Sequence, residues 1–89
     1  MKRTLDLLDR AKNQLPALSE RALSTHLGHS PFALRACRNR GNLSPVIAGQ
    51  LAELVGEDVR EWVALAALES EPRSRVTDHL RRAIAQITI

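Results

Sequence analysis

The chain has 89 residues, enough for one domain with a single hydrophobic core. A hydrophobic fraction of 44% is typical of a folded protein, and an aromatic fraction of 2% favours helices over sheets because leucine, alanine and valine must fill the core. The single cysteine, Cys37, excludes an internal disulfide and fits a reducing compartment. Charged residues interrupt the apolar runs, so we expect a cytoplasmic protein with no signal peptide and no membrane span.

The net charge of +3 is unevenly distributed along the chain. Residues 19–42 carry four arginines against Glu20 alone, whereas residues 50–71 carry six acidic side chains against Arg60 alone. Such a division predicts one face that meets a polyanion and another that is held away from it. The alternative is that both segments simply present solvated helix faces.

Residues that start or stop helices, such as proline, glycine and serine, divide the chain into six predicted helices, and no segment has a convincing strand pattern. The first runs from about Arg3 to Leu15 and is stopped by Pro16. Its predicted inner face is Leu5, Leu8, Ala11 and Leu15. Ser19 is predicted to cap the second helix, which runs to about Leu27 and stops at Gly28. Serine followed by proline at positions 30 and 31 is the start signal of a third helix, which runs to about Asn39.

The same start signal, Ser44-Pro45, predicts a fourth helix that ends before Gly56. Its predicted inner face is Ile47, Leu51, Leu54 and Val55. Asp58 is predicted to cap a fifth helix with the apolar stripe Val59, Trp62, Val63 and Ala66. A sixth helix follows Glu71-Pro72, with the stripe Val76, Leu80, Ile84 and Ile87. The short connections predict a compact all-α bundle of five to six short helices.

The stretch LSTHLGHSPFALRACRNRG, residues 23–41, joins two of these helices across a single glycine. Two short helices that cross closely need a small residue at the crossing and a turn residue that tolerates positive φ. Ser24 and Gly28 supply these two features. The apolar inner faces are supplied by Leu23, Leu27, Leu34 and Cys37.

This spacing resembles the helix-turn-helix of the lambda-repressor/Cro-like family of small phage-type regulators. The resemblance covers about residues 3–69 and includes the preceding helix, Gly41 followed by Ser44-Pro45, and LAELVG at residues 51–56. It implies a DNA-binding domain over residues 1–71, with the motif at about 19–39. Residues 72–89 would form a C-terminal helix that dimerises or caps the same domain. His29 departs from the family, which usually has an apolar residue there, and Pro31-Phe32 replace a usual polar pair.

The resemblance also implies which side chains touch DNA. The outward residues of the second motif helix would read base edges: Ser30, Pro31, Phe32, Arg35 and Ala36. An arginine grips guanine in a bidentate pair, and Phe32 and Ala36 could contact thymine methyl groups. Phosphate contacts are expected from Ser19, Arg21, Arg38, Asn39 and Arg40.

Each of these roles has a structural alternative. Phe32 could belong to the core, and Arg35 could be a solvated surface charge. Arg38 and Arg40 could merely lie favourably at a helix C-terminus. Trp62 lies on an apolar stripe and is predicted to be core, and Cys37 is predicted to be a small buried hydrophobe.

The expected function is a sequence-specific, double-stranded DNA-binding transcription regulator, a phage-type repressor that acts as a homodimer through the stripe on the sixth helix. No enzymatic activity, metal, cofactor or small-molecule ligand is expected, because no catalytic motif is present. The candidate metal ligands also do not follow a zinc-binding spacing: His26, His29, Cys37 and His79. The alternative function is a helical protein-interaction module, such as an adaptor or an antitoxin-like partner, without sequence-specific DNA binding.

Overall fold

A computed structural model describes residues 3–71 and 74–87, and this part of the chain forms six helices and no strand. The helices are α1 (Thr4–Gln14), α2 (Glu20–His26), α3 (Ala33–Arg40), α4 (Pro45–Val55), α5 (Val59–Glu69) and α6 (Arg75–Ile87). Helix α1 packs against α4 and α5, α2 packs against α3, and α6 packs against α5. The prediction of a compact all-α bundle is confirmed, with a radius of gyration of 12.9 Å. No described helix has the length and apolar character to cross a membrane.

Helix starts and stops follow the predicted capping residues in most cases. The Ser19 hydroxyl accepts a hydrogen bond from the Ala22 amide, and Ser44 caps α4 in the same way. The Asp58 carboxylate accepts hydrogen bonds from two amides of the first turn of α5. These side chains satisfy amides that have no partner within the helix. The stop at Gly56 is confirmed by its left-handed backbone, with φ of +80°.

The predicted start of the third helix is wrong by about two residues. Ser30 and Pro31 lie in a turn before α3, in which the Ala33 amide donates to the Ser30 carbonyl. The helix itself begins at Ala33 after Phe32, whose side chain makes no capping hydrogen bond. At the other end, α3 includes Arg40 and stops at Gly41 with φ of +94°. Proline at position 31 therefore fixes a turn and not the first turn of the helix.

The core lies where α1, α4 and α5 meet and continues under α2 and α3. Its buried apolar members are Leu7, Leu8, Ala11, Leu23, Leu34, Cys37, Leu43, Ile47, Ala48, Leu51, Ala52, Trp62, Leu65 and Ala66. The predictions for Trp62 and Cys37 are confirmed. Leu54 and Val59 were predicted to face inward, but each is 38% exposed. Each lies at the edge of a surface depression, Leu54 beside the end of α2 and Val59 beside α4.

A buried polar network ties the start of α1 to the end of α5. The Thr4 hydroxyl donates to one carboxylate oxygen of Glu69, and the Thr4 amide donates to the other over 3.0 Å. The same hydroxyl accepts a hydrogen bond of 2.9 Å from the buried Leu43 amide, in the connection between α3 and α4. Glu69 thus supplies a negative charge at the N-terminus of α1, which the helix dipole favours. The sequence did not reveal this network.

Replacing Thr4 with valine should lower the free energy of unfolding by about 1–3 kcal/mol, because the Leu43 amide and Glu69 lose their buried partner. Chemical denaturation followed by circular dichroism measures this change. The control Thr4→Ser keeps the hydroxyl and removes one methyl group, so it should cost only about 0.5–1.5 kcal/mol. A valine variant as stable as wild type would show that the network contributes nothing.

The apolar stripe predicted on the sixth helix is partly exposed and partly packed against α5. Val76 and Leu80 are exposed, by 68% and 44%. Ile84 is half-buried and lines a small pocket with Glu61 and Ala64 of α5, and the buried residue at the start of α6 is Thr77. The side chain of Ile87 lies outside the described part of the chain. Helix α6 therefore packs on α5 through the Thr77–Ile84 side and leaves Val76 and Leu80 uncovered.

Candidate nucleic-acid interface

Ser24 joins α2 to the start of α3. Its side chain is fully buried, its hydroxyl donates to the Glu20 carbonyl over 2.8 Å, and its oxygen accepts from the Leu34 amide over 3.2 Å. The Leu34 amide lies in the first turn of α3, where it has no partner within the helix. The prediction that a small residue stands at this crossing is confirmed. Serine adds a hydrogen bond that fixes the start of α3.

The turn between α2 and α3 is fastened to α4 by Gln50. Gly28 adopts φ of +86°, which a side chain would disfavour. The Gln50 amide nitrogen donates to the Leu27 carbonyl over 2.9 Å, and its oxygen lies 2.7 Å from His29 Nε2. Because the Gln50 oxygen can only accept, the His29 nitrogen is the donor. This hydrogen bond explains how a histidine can stand at position 29, where the lambda-repressor/Cro-like pattern has an apolar residue. The sequence analysis did not identify Gln50, which is a single amide side chain in a mostly apolar helix.

One face of α3 is exposed and continuous. Four exposed residues, three, four and seven positions along from the first, lie on one side of the helix: Phe32, Arg35, Ala36 and Asn39. The opposite side carries Leu34 and Cys37, which are fully buried. The arrangement gives α3 an inner face that belongs to the core and an outer face that is open to a ligand.

Phe32 is 58% exposed, so the alternative that it belongs to the core is wrong. The guanidinium carbon of Arg21, at the start of α2, lies 5.5 Å from the centre of the Phe32 ring. This distance is within the range of a cation–π contact, which is weak at an exposed site. The contact brings Arg21 to the same side of the molecule as the outer face of α3.

Arg35 projects from the middle of that face. Its side chain takes part in no hydrogen bond or ion pair within residues 3–71 and 74–87, so all the guanidinium donors are available to a ligand. Ser30 is exposed and Pro31 is half-buried, and both lie in the turn that leads into α3. The five residues predicted to read bases therefore cluster on α3 and the turn before it.

Arg38 has partners that the sequence did not suggest. Its guanidinium donates to Asp9 of α1 over 2.8 Å and to Glu20 of α2 over 2.5 Å. These hydrogen bonds, first to Asp9 and then to Glu20, raise the pKa of Arg38 above its ordinary value. Arg38 was predicted to contact phosphate, but its geometry makes it a clamp that joins α1, α2 and α3. The positive charge of this clamp is matched by two carboxylates.

The remaining residues predicted to contact phosphate lie at the ends of α2 and α3. Asn39 and Arg40 are exposed at the end of α3. Arg40 donates from Nε to the Asn42 side chain over 2.9 Å and makes a weak contact with the Cys37 sulfur, which leaves other donors open. The Ser19 hydroxyl caps α2 and still has its own hydrogen to donate. Within the described part of the chain, Arg21 and Arg40 are thus the cations of this set that are not matched by a carboxylate.

The described residues contain no cluster of three or more side chains that could hold a metal ion. The exposed side chains around α3 are instead suited to hydrogen bonding and to charge contacts with an anion. No family model, curated protein sequence or solved structure matches this chain. The geometry of α2 and α3 therefore carries the functional interpretation.

Proposed function

We propose that this protein binds double-stranded DNA by inserting α3 into the major groove. The observation that carries the proposal is the division of α3 into a buried face, with Leu34 and Cys37, and an exposed face, with Phe32, Arg35 and Ala36. A helix presented in this way by a neighbouring short helix has the width and the donors needed to read base edges. The resemblance to lambda-repressor/Cro-like regulators supports the same function.

Specific recognition rests on Arg35 in this proposal. Its unengaged guanidinium can donate two hydrogen bonds to the O6 and N7 atoms of guanine. Phe32 and Ala36 lie on the same face and would contact thymine methyl groups, and Ser30 and Pro31 would approach the bases from the preceding turn. A half-site with guanine next to thymine follows from this arrangement.

Phosphate contacts are assigned to the two ends of the motif. Arg21 at the start of α2 and Arg40 at the end of α3 have no carboxylate partner among residues 3–71 and 74–87, and Ser19 and Asn39 stand beside them. Such contacts position the helix on the duplex without reading sequence. Arg38 is left out of this set because Asp9 and Glu20 already surround it.

The regulatory role we propose is repression in the cytoplasm by occluding polymerase at an operator, with no catalytic step. Operators of helix-turn-helix proteins place two half-sites about 34 Å apart, which calls for two copies of the chain related by a two-fold axis. The exposed pair Val76 and Leu80 on α6 supports a homodimer, because a second copy would remove these side chains from water.

Arg40→Ala should weaken binding to all duplexes alike and reduce the slope of log affinity against log salt by about 0.9, the loss of one phosphate contact. Fluorescence anisotropy with a random-sequence duplex at several salt concentrations measures the slope. Arg38→Ala is the matched control: it removes an equal charge from the same helix, yet the slope should stay unchanged.

The same titration tests the proposed function as a whole. Wild-type protein should bind duplex DNA with a steep salt dependence. Absence of binding to any duplex at low salt would refute the proposal and would favour the alternative of a protein-interaction module.

A further inference from the structure

The described part of the chain exposes six large apolar side chains. Phe32 belongs to the proposed DNA-binding face, and the other five form two groups. Val46, Leu54 and Val59 lie on α4 and α5, and Val76 and Leu80 lie on the outer side of α6. Val46 is 64% exposed and Val76 is 68% exposed, so both groups are open to water. The proposed function accounts for the group on α6 and leaves the first group without a role.

Val46 and Val59 of the first group line a groove between α4 and α5, whereas Leu54 lines a separate depression beside His26 and Leu27. The residues that line the walls of the groove include Val46, Gly49, Gln50, Glu53, Val59 and Val63. The two helices approach closely at Gly49, where a Cβ atom would lie 2.9 Å from a methyl group of Val63. Because Gly49 has no side chain, α4 and α5 can pack this closely, and the groove above them has apolar walls at Val46, Val59 and Val63. Its apolar walls suit a few apolar side chains from one helix.

Charges at the two surfaces are complementary. Glu53 stands exposed at the rim of the groove, and its side chain takes part in no hydrogen bond or ion pair within residues 3–71 and 74–87. On α6, Arg75 is exposed and equally unengaged, and Arg82 donates only to the carbonyl of Asp78. The exposed face of α6 is therefore apolar with a basic border, whereas the groove is apolar with an acidic border.

We infer that α6 of one copy lies in the α4–α5 groove of a second copy, and that the second copy returns the same contact. This inference rests on the homodimer of the proposed function and identifies which surfaces meet. A contact of α6 with α6 would leave the groove exposed, and a contact of groove with groove would bring like charges together. The reciprocal contact covers Val46, Val59, Val76 and Leu80 at once and is closed by a two-fold axis.

The test is sedimentation velocity of the full chain as a function of concentration, with Val46→Asp and Leu80→Asp. Each variant should raise the dimer Kd by more than about tenfold, because an apolar side chain at the contact is replaced by a charge. Glu53→Arg should raise it by only about two- to fivefold, the effect of a surface ion pair. Ala17→Asp, on the exposed connection between α1 and α2, is the control and should dimerise like wild type.

Sedimentation of a mixture of the two aspartate variants tests whether the two surfaces contact each other. The Val46→Asp chain keeps an intact α6 and the Leu80→Asp chain keeps an intact groove, so one of the two contacts can form in the mixed dimer. Partial recovery of dimer in the mixture supports the reciprocal contact. Circular dichroism verifies that both variants are folded, which their exposed positions favour.

Two other results overturn the inference in different ways. If Leu80→Asp is monomeric while Val46→Asp dimerises normally, α6 meets α6 and the groove has no part in the dimer. If wild-type protein stays monomeric at every concentration, the homodimer itself fails. Wild-type protein that dimerises but binds no duplex DNA would count against the proposed function alone.

Discussion

Ser24→Val should lower the free energy of unfolding by about 2–5 kcal/mol, one of the largest effects that a single substitution can have in this chain. The side chain is fully buried between α2 and α3, so the larger valine overpacks the crossing. Valine also cannot accept the hydrogen bond from the Leu34 amide, which then stays buried without a partner. Thermal and chemical denaturation measure the loss, and the displaced α3 should weaken DNA binding at temperatures where the protein is still folded.

Ser24→Ala separates the two causes. Alanine fits the crossing and removes only the hydrogen bonds, so it should cost about 1–3 kcal/mol and leave α3 near its position. If valine and alanine destabilise equally, overpacking contributes nothing and the two helices are less closely packed than the structure indicates.

Arg35→Ala should reduce affinity for the preferred operator by about 1–3 kcal/mol, roughly 5- to 150-fold, and should relax selectivity at one base pair. The reason is that Arg35 stands in the middle of the exposed face of α3 and its side chain has no partner among the described residues. Binding titrations with the preferred operator and with single-base variants of it measure both effects.

Arg35→Lys is the control for charge. Lysine keeps the positive charge but lacks the planar pair of donors that matches guanine. We expect it to retain the salt dependence and to lose much of the selectivity. An Arg35→Ala variant that keeps the full preference over random DNA would show that another segment reads the bases.

Local features of the fold followed well from the sequence. Ser19, Ser44 and Asp58 cap helices because a side-chain oxygen next to a helix start satisfies the nearest amides, whatever the rest of the chain does. Gly28 and Gly56 adopt positive φ at or next to the helix ends, as expected of residues without a side chain. The start of α3 was misplaced because Ser-Pro suits a turn as well as a first helical turn, and here Ser30 closes the turn.

Contacts between distant residues could not be predicted. Thr4 and Glu69 are 65 positions apart, and His29 and Gln50 are 21 apart, so only the packing of whole helices brings them together. The same holds for Arg38, whose carboxylate partners lie on two other helices. Apolar periodicity identified which helix faces could be buried, but not which of them find a neighbour, and so Leu54 and Val59 were misassigned.

The most direct test of DNA recognition by α3 is selection of bound sequences from a random duplex pool by wild-type protein and by Arg35→Ala in parallel. We predict that wild type enriches a motif of two half-sites, related by two-fold symmetry with centres about 34 Å apart. The Arg35→Ala pool should lose information at one guanine of each half-site. A wild-type pool without an enriched motif, or two pools with identical motifs, would contradict the assignment of α3 as the helix that reads DNA.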